Sequence, residues 1–369
     1  MSSTTADVVI IGCGGAGSAA AAELARRGRT VVALDAFDRG HARGSSHGTE
    51  RIFRAAYTDE VYTMMALVAL DGWRDLERET DTRLLSLVGS IDTGFAGELA
   101  DISTNLTTCG LPHELMDATE AERRFPFFRF EHPVLWQPSS GTVHADGALA
   151  AFHRVAWDGG ADLRFEDPVI AIDIRSDGVR VTSASGVVDA GSAIVTAGAW
   201  ADRLLDGIVP LPELIVTDEQ VFFFRPRADF SWPTFITRTV PELYGLPTPG
   251  GLVKAGEHYT GPRVDPDMRE APSEEVRQRV SRWIAENVPG LDPRPVDATT
   301  CLYASFPDED FIIDRIGDTV LGLGLGGHGF KFLPEIGRRL ADLAEGETWR
   351  GNPFTIDREP RHVGPSGHK

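Results

Sequence analysis

The run Asp7-Val8-Val9-Ile10-Ile11-Gly12-Cys13-Gly14-Gly15-Ala16-Gly17 decides the fold. Its apolar block, Val8 to Ile11, reads as a buried strand, and the Ala-rich stretch Ala16–Arg27 as a helix. Between them stands a Gly-x-Gly-x-x-Gly turn. Gly12 permits the tight turn, Gly14 lets a pyrophosphate approach the backbone, and Gly17 lets the helix pack on the strand. The helix N-terminus then meets the pyrophosphate with free N–H groups and the positive end of its dipole. Thr30–Asp35 reads as the next strand, and Asp35 at its end can accept from a ribose hydroxyl. Strand, turn, helix and acid in this order predict a site for an adenine dinucleotide. The unit alone does not separate FAD from NAD.

Working outward, composition sets the bounds. The chain has 369 residues, 42% hydrophobic and 25% charged, ordinary for a globular protein and long enough for two domains. A net charge of −19 argues against nucleic acid or an anionic membrane as partner, because phosphates need neutralising cations. The cysteines, Cys13, Cys109 and Cys301, are far apart, odd in number and without metal-ligand spacing. Neither a disulfide framework nor a metal site is expected. No stretch reaches the roughly 18 apolar residues of a transmembrane helix. The run Val8–Ile11 is too short for a signal peptide, so the expected location is the cytoplasm.

One bias is informative. Of 36 basic residues only Lys254, Lys331 and Lys369 are lysine; the rest are arginine. Where this chain needs a solvated cation it uses Arg, so an internal Lys points to a use for a compact, tunable ammonium.

The remaining elements follow from periodicity and punctuation. Asp59 to about Glu79 carries Tyr62, Leu67, Leu70, Trp73 and Leu76 at helical spacing, and Leu84–Phe130 reads as short strands and turns. Gly147–Asp158 reads as a helix capped by Asp146. Strands are expected at Ala161–Phe165, Val169–Arg175, Gly178–Ser183, Ser192–Thr196, Gln220–Phe224 and Thr319–Leu325. Ser273–Val288 and Pro334–Ala344 read as helices, the first with Glu274 and Glu275 in its first turn and Pro289-Gly290 after its end.

Three further glycine-rich turns suit close backbone approach by a large ligand: Gly44-Ser45-Ser46-His47-Gly48, Thr196-Ala197-Gly198-Ala199-Trp200 and Gly326-Gly327-His328-Gly329-Phe330-Lys331. At these residues the chain resembles the flavoprotein amine oxidases that include monomeric sarcosine oxidase and N-methyltryptophan oxidase. The similarity runs from Asp7 to about Leu343 and is most specific at Gly44–Tyr57, Val253–His258, Cys301–Arg315 and Gly326–Phe332. It implies FAD as the dinucleotide, a monomer, and a two-domain α/β (α+β) fold. A Rossmann-like FAD-binding domain (1–80, 140–210 and 300–369) would carry an inserted antiparallel-sheet substrate domain (81–139 and 211–299).

The resemblance also implies roles. Cys301 matches the cysteine that carries the flavin as an 8α-thioether; by its neighbours alone it is a small buried hydrophobe. Such a link needs a thiolate at the flavin edge, which a nearby cation favours. Lys254 matches the oxygen-activating lysine: one-electron reduction of O2 gives an anion, which a partly desolvated ammonium stabilises. Arg54 and Lys331 match a clamp in which a guanidinium fork and a point charge fix one carboxylate. Arg51 accompanies His47 beside the flavin ring, although arginines three apart can also share a helical face. Tyr244, His258 and Tyr303 match pocket-lining positions, Ile236 stands where sarcosine oxidase has a methionine, and Gly327 would offer its carbonyl near the amine. Ser46, Gly198, Trp200 and Gly329 join Gly12, Gly14, Gly17 and Asp35 as cofactor-binding positions, while His328 reads as a turn residue. Glu50 departs from the family, which has a small hydroxyl residue there. Its carboxylate is expected to pair with Arg51 or His47, or with a second cation on the substrate.

The reaction implied is oxidation of a secondary amino acid, an N-methyl L-amino acid or a cyclic imino acid, to an imine that hydrolyses, with O2 reduced to hydrogen peroxide. A flavin dehydrogenase using another acceptor, a nicotinamide enzyme and a non-catalytic flavoprotein remain as alternatives at this level.

Overall fold

The computed structural model describes residues 3–360, so Lys369 lies outside the described residues. The opening strand runs Ser3–Ile11 inside an eight-stranded sheet. It pairs in parallel with Val31–Leu34 on one side and Val187–Val195 on the other. Asp162–Arg164 extends the parallel part past Val31–Leu34, and Thr319–Leu323 joins the end of Val187–Val195, also in parallel. Antiparallel strands Val169–Arg175, Gly178–Ser183 and Ile312–Ile316 complete it.

A strand buried on both faces needs a continuous apolar run, and the alternation of Val8–Ile11 shows why. Val8 and Ile10 pack into a core shared with the helices Gly15–Arg26, Glu60–Thr80, Ala145–Asp158 and Leu333–Ala344. Val9 and Ile11 point the other way, onto Val179, Val188 and Leu205.

The turn after this strand is tight. Gly12 has φ +97°, a left-handed conformation that a side chain resists. At Gly17 a Cβ would lie 1.9 Å from the Gly12 carbonyl oxygen and 2.6 Å from Thr196 Oγ1. The first helix therefore crosses its own turn at backbone contact. Gly17→Ala is expected to force the helix off the turn, lowering stability by about 1–3 kcal/mol and giving protein purified with less cofactor. Thermal unfolding and the ratio of visible to ultraviolet absorbance check this; parental values for both would sink it.

The second sheet also has eight strands. From one edge they are Asp297–Ser305, Ile215–Phe224, Val253–Glu257, Leu243–Pro247, Thr234–Arg238, Ser90–Gly94, Val134–Gln137 and Glu114–Met116. Its pairings are antiparallel save one: Thr234–Arg238 runs parallel to Ser90–Gly94. These two strands come from distant parts of the chain, so no hairpin turn dictates their direction. One face buries Phe222, Phe224, Phe235, Leu243 and Val253 against the helix Glu274–Asn287. The alternate residues of the same strands face the first sheet. A small sheet of Glu50–Phe53, Gly141–His144 and Leu85–Ser86 lies beside them.

Two expectations need correction, and one alternative is removed. Leu84–Phe130 holds two helices, Ala96–Thr108 and Ala118–Arg124, besides its strands. The first buries only Leu99, Ile102 and Leu106 among polar residues, a stripe too thin to stand out as periodicity. The cap of Ala145–Asp158 is His144, whose ring accepts from Gly147 N, while Asp146 accepts from Gly48 N and braces the glycine-rich loop. Arg51 and Arg54 share no helical face, because Glu50–Phe53 is a strand.

Candidate active site

The two sheets enclose one large cleft of about 600 Å³, within the range of small-molecule sites. At one end lies the first turn. Gly14 caps the helix Gly15–Arg26 with no side-chain hydrogen bond, so the helix start is open to an anion. Gly15 N reaches only the Ser46 hydroxyl, at 2.9 Å. Asp35, buried, accepts from Cys13 N (2.7 Å) and Phe37 N (3.0 Å), which fixes its carboxylate beside the turn. Gly198 and Trp200 line the same end, and the Trp200 ring packs 5.1 Å from Phe37. Gly17 and Gly329 do not line the cleft: the first packs the helix on the turn, and the second lies against Leu325.

The middle of the cleft is built on alternation in the second sheet. Val221, Phe223, Ile236, Tyr244 and Lys254 are cleft-facing, each flanked by residues of the opposite face, and Cys301 lines the cleft beside Thr300. Lys254 is 9% exposed and its Nζ donates to the Glu50 carbonyl (2.9 Å). Burial, then the charge of Arg51, pushes its ammonium down to about 7. Arg51 ties the 45–50 loop by donating to the carbonyls of Ser45 (2.8 Å), His47 (2.6 Å) and Glu50 (2.9 Å). His47 is pushed down to about 4 by burial and by Arg51, so its ring is neutral at physiological pH. Its Nε2 is buried with no hydrogen-bond partner. The Cys301 thiol lies against two carbonyl oxygens, of Ser45 at 3.7 Å and Leu302 at 3.9 Å.

Of the partners expected for Glu50, the two within the chain are not the ones it takes. Its side chain pairs with neither Arg51 nor His47. It turns to Thr142, buried, with its carboxyl raised by that burial. The strand register explains this, because Glu50 and Ile52 face His144 and Thr142 across the small sheet. The Glu50 backbone carbonyl accepts from Lys254, and its carboxylate adds a charge interaction with the same lysine.

At the far end Arg54 and Lys331 converge on the ring of Tyr57, at 4.2 and 5.6 Å from its centroid. Both are buried. Lys331 donates to the His328 carbonyl (2.6 Å), and burial together with the Arg54 charge drives its ammonium well down. Tyr303 OH lies 3.4 Å from His258 Nδ1, and Gly327 lines the cleft against both rings. Sequence reasoning missed the charges beneath Arg54. Asp92 is 4.0 Å from Arg54 and is held at 2.9 Å by Arg238, which is fully buried and also meets Glu98 (3.1 Å). Glu242, buried, lines the cleft beside them. The available signal was weak, since Asp92 and Arg238 stand in short stretches, Ser90–Gly94 and Thr234–Arg238, that mix apolar with polar residues.

An open helix start, a wall of small residues, an unpartnered buried imidazole and an accessible thiol form a cradle that fits FAD. A profile of the family described as FAD dependent oxidoreductase (DAO) matches residues 7–343. The chain belongs to this family. It is 33% identical over 368 residues to monomeric sarcosine oxidase of Streptomyces avermitilis, covering 93% of this chain and 94% of that one. It is 30% identical over 373 residues to N-methyl-L-tryptophan oxidase of Salmonella heidelberg, covering 95% and 98%. Among solved structures, NikD, an amino acid oxidase essential for nikkomycin biosynthesis, superposes with a TM-score of 0.85 at 27% identity over 98% of this chain and 100% of that one. The flavoprotein reading and the two-sheet α/β fold are thereby established for this FAD dependent oxidoreductase. Among the described residues no helix is long and apolar enough to cross a membrane, and no group of His, Cys, Asp or Glu is arranged to hold a metal.

Proposed function

We propose that the chain is an oxidase of secondary amino acids of the sarcosine or N-methyl-L-amino acid type, cytoplasmic and monomeric, with O2 as acceptor and hydrogen peroxide as product. The observation that carries the reading is the division of one cleft between two buried cations at one end, Arg54 and Lys331, and a third, Lys254, beside Cys301. An anionic substrate and a reducible O2 each need such a charge, at different places. Two of the relatives named above are oxidases of sarcosine and of N-methyl-L-tryptophan.

FAD, when bound, would accept a hydride equivalent from the carbon beside nitrogen and later deliver the electrons to O2. Gly12, Gly14, Ser46, Asp35, Gly198 and Trp200 would hold its dinucleotide part, and His47 and Arg51 the ring end. Arg54 and Lys331 dock the carboxylate; its negative charge also favours the protonated ammonium of Lys331, which burial disfavours. Tyr244, His258, Tyr303 and Ile236 wall the amine and its substituent, keeping water out and the carbon oriented. The experiment is an anaerobic bleaching screen across N-methyl-L-amino acids and cyclic imino acids, followed by O2 uptake without added acceptor. Bleaching without O2 uptake would make the enzyme a dehydrogenase instead.

In this reading Cys301 tethers the cofactor as an 8α-thioether. Acid precipitation of the purified protein is then expected to leave the yellow colour in the pellet, and Cys301→Ser to release it to the supernatant. Colour released from the parent protein removes the tether.

A further inference from the structure

The proposed oxidation leaves one proton without a destination. At neutral pH an α-amino acid is an ammonium, and the carbon beside nitrogen cannot give up a hydride equivalent until that nitrogen regains its lone pair. The amine is attached to the carbon that bears the carboxylate. Once Arg54 and Lys331 hold the carboxylate, a proton acceptor has to stand beside them.

Glu242 stands there. It follows the turn between Thr234–Arg238 and Leu243–Pro247 and is 6% exposed. It lines the main cleft and also a small cavity next to it, walled by Arg54, Tyr57, His258, Tyr259, Glu309 and His328. Its carbonyl accepts from His258 N (2.9 Å), which locks the two residues together at the pocket wall. The charges facing it are Arg238 and Arg54 on one side of the balance and Asp92 and Glu98 on the other. Burial outweighs the two arginines and raises its carboxyl to about 7, close to where an acid–base group works best at neutral pH. The phenols and amines at this end are poorer bases. Burial keeps the phenols of Tyr57, Tyr244 and Tyr259 protonated. The amines of Lys254 and Lys331 are engaged with the carbonyls of Glu50 and His328.

We propose that Glu242 is a catalytic residue that takes the proton from the substrate ammonium. The proposal rests on the reading of this cleft as a secondary amino acid oxidase. In the step an N–H bond breaks, its electron pair stays on nitrogen, and an O–H bond forms on the Glu242 carboxylate; nothing is oxidised. The docked carboxylate occupies Arg54 and so weakens its hold on Glu242, which makes Glu242 the stronger base. In a water-poor chamber, turning an ammonium–carboxylate pair into a neutral amine and acid relieves two desolvated charges. Product release then returns the proton to solvent.

The test is anaerobic reduction of the holoenzyme by a panel of N-methyl-L-amino acids, followed against pH. In Glu242→Gln, reduction near neutral pH is expected to be on the order of 10²-fold slower. The loss should shrink to a few-fold at about pH 10, where the substrate amine arrives unprotonated. Glu242→Asp should keep the parental limb in the pH profile. Unchanged binding of butyrate, a carboxylate without an amine, together with an unchanged flavin spectrum, shows that the Gln variant keeps its clamp and fold. A Gln variant with the parental pH profile, or one slowed equally at every pH, overturns the proposal and leaves the oxidase reading intact. A parent enzyme bleached by no secondary amino acid overturns both.

Discussion

Replacing Lys254 with methionine is expected to leave flavin reduction by substrate within a few-fold of the parent and to slow reoxidation by O2 on the order of 10²–10³-fold. The first electron delivered to O2 makes an anion in a chamber from which water is excluded, and only a preorganised positive charge compensates it there. Lys254 is held for that purpose by a hydrogen bond to the Glu50 carbonyl, with the Glu50 carboxylate acting on it only through its charge. Mixing substrate-reduced enzyme with aerated buffer in a stopped-flow instrument separates the two half-reactions. Reoxidation at the parental rate would falsify the assignment of Lys254 and favour an enzyme that uses another acceptor.

The same lysine sets a pH dependence with a definite sign. Its folded value, about 7, lies below the ordinary 10.5 of a solvated lysine. Between those values the unfolded chain holds a proton that the folded apoprotein has released, so stability rises with pH, at up to about 1.4 kcal/mol per pH unit. Below about 7 both states are charged and the folded state carries the full desolvation cost. Apoprotein of the methionine variant is expected to unfold at a higher temperature than the parent near neutrality, with the gap closing as pH approaches 10.5. A gap independent of pH would mean that Lys254 is charged throughout.

How much of this was legible in the sequence depended on whether the information was local. The first strand, turn and helix were readable because each is fixed by neighbours: apolar side chains for a strand buried on both faces, and glycine where the helix crosses the turn. The lysines were conspicuous through scarcity, and both Lys254 and Lys331 lie in the cleft. The helix Ala96–Thr108 was not legible, since three buried residues among polar ones mark no face. The partner of Glu50 within the chain was not legible because its orientation is set by the register with Gly141–His144, a pairing across distant sequence. The charges under Arg54 escaped for the same reason. Asp92 and Arg238 meet only because Ser90–Gly94 and Thr234–Arg238 pair side by side, and no spacing along the chain announces that.

That hidden layer bears on what happens when Arg54 itself is removed. Arg54→Ala is expected to lower kcat/KM for N-methyl-L-amino acids by roughly 10³-fold, because a charge-assisted, two-pronged contact to a desolvated carboxylate is lost whole. The fold should survive. Asp92, which would otherwise be left as a bare buried anion, keeps its two hydrogen bonds from Arg238, at 2.9 and 3.1 Å. Arg54→Lys should recover only part of the loss, since an ammonium supplies charge at a point and cannot match the carboxylate plane. Formaldehyde release measured against substrate concentration, alongside the visible spectrum of the bound flavin, decides the matter. If the alanine variant keeps its flavin and binds substrate as the parent does, the carboxylate is held elsewhere, and Arg54 serves only to balance Asp92 and Glu242.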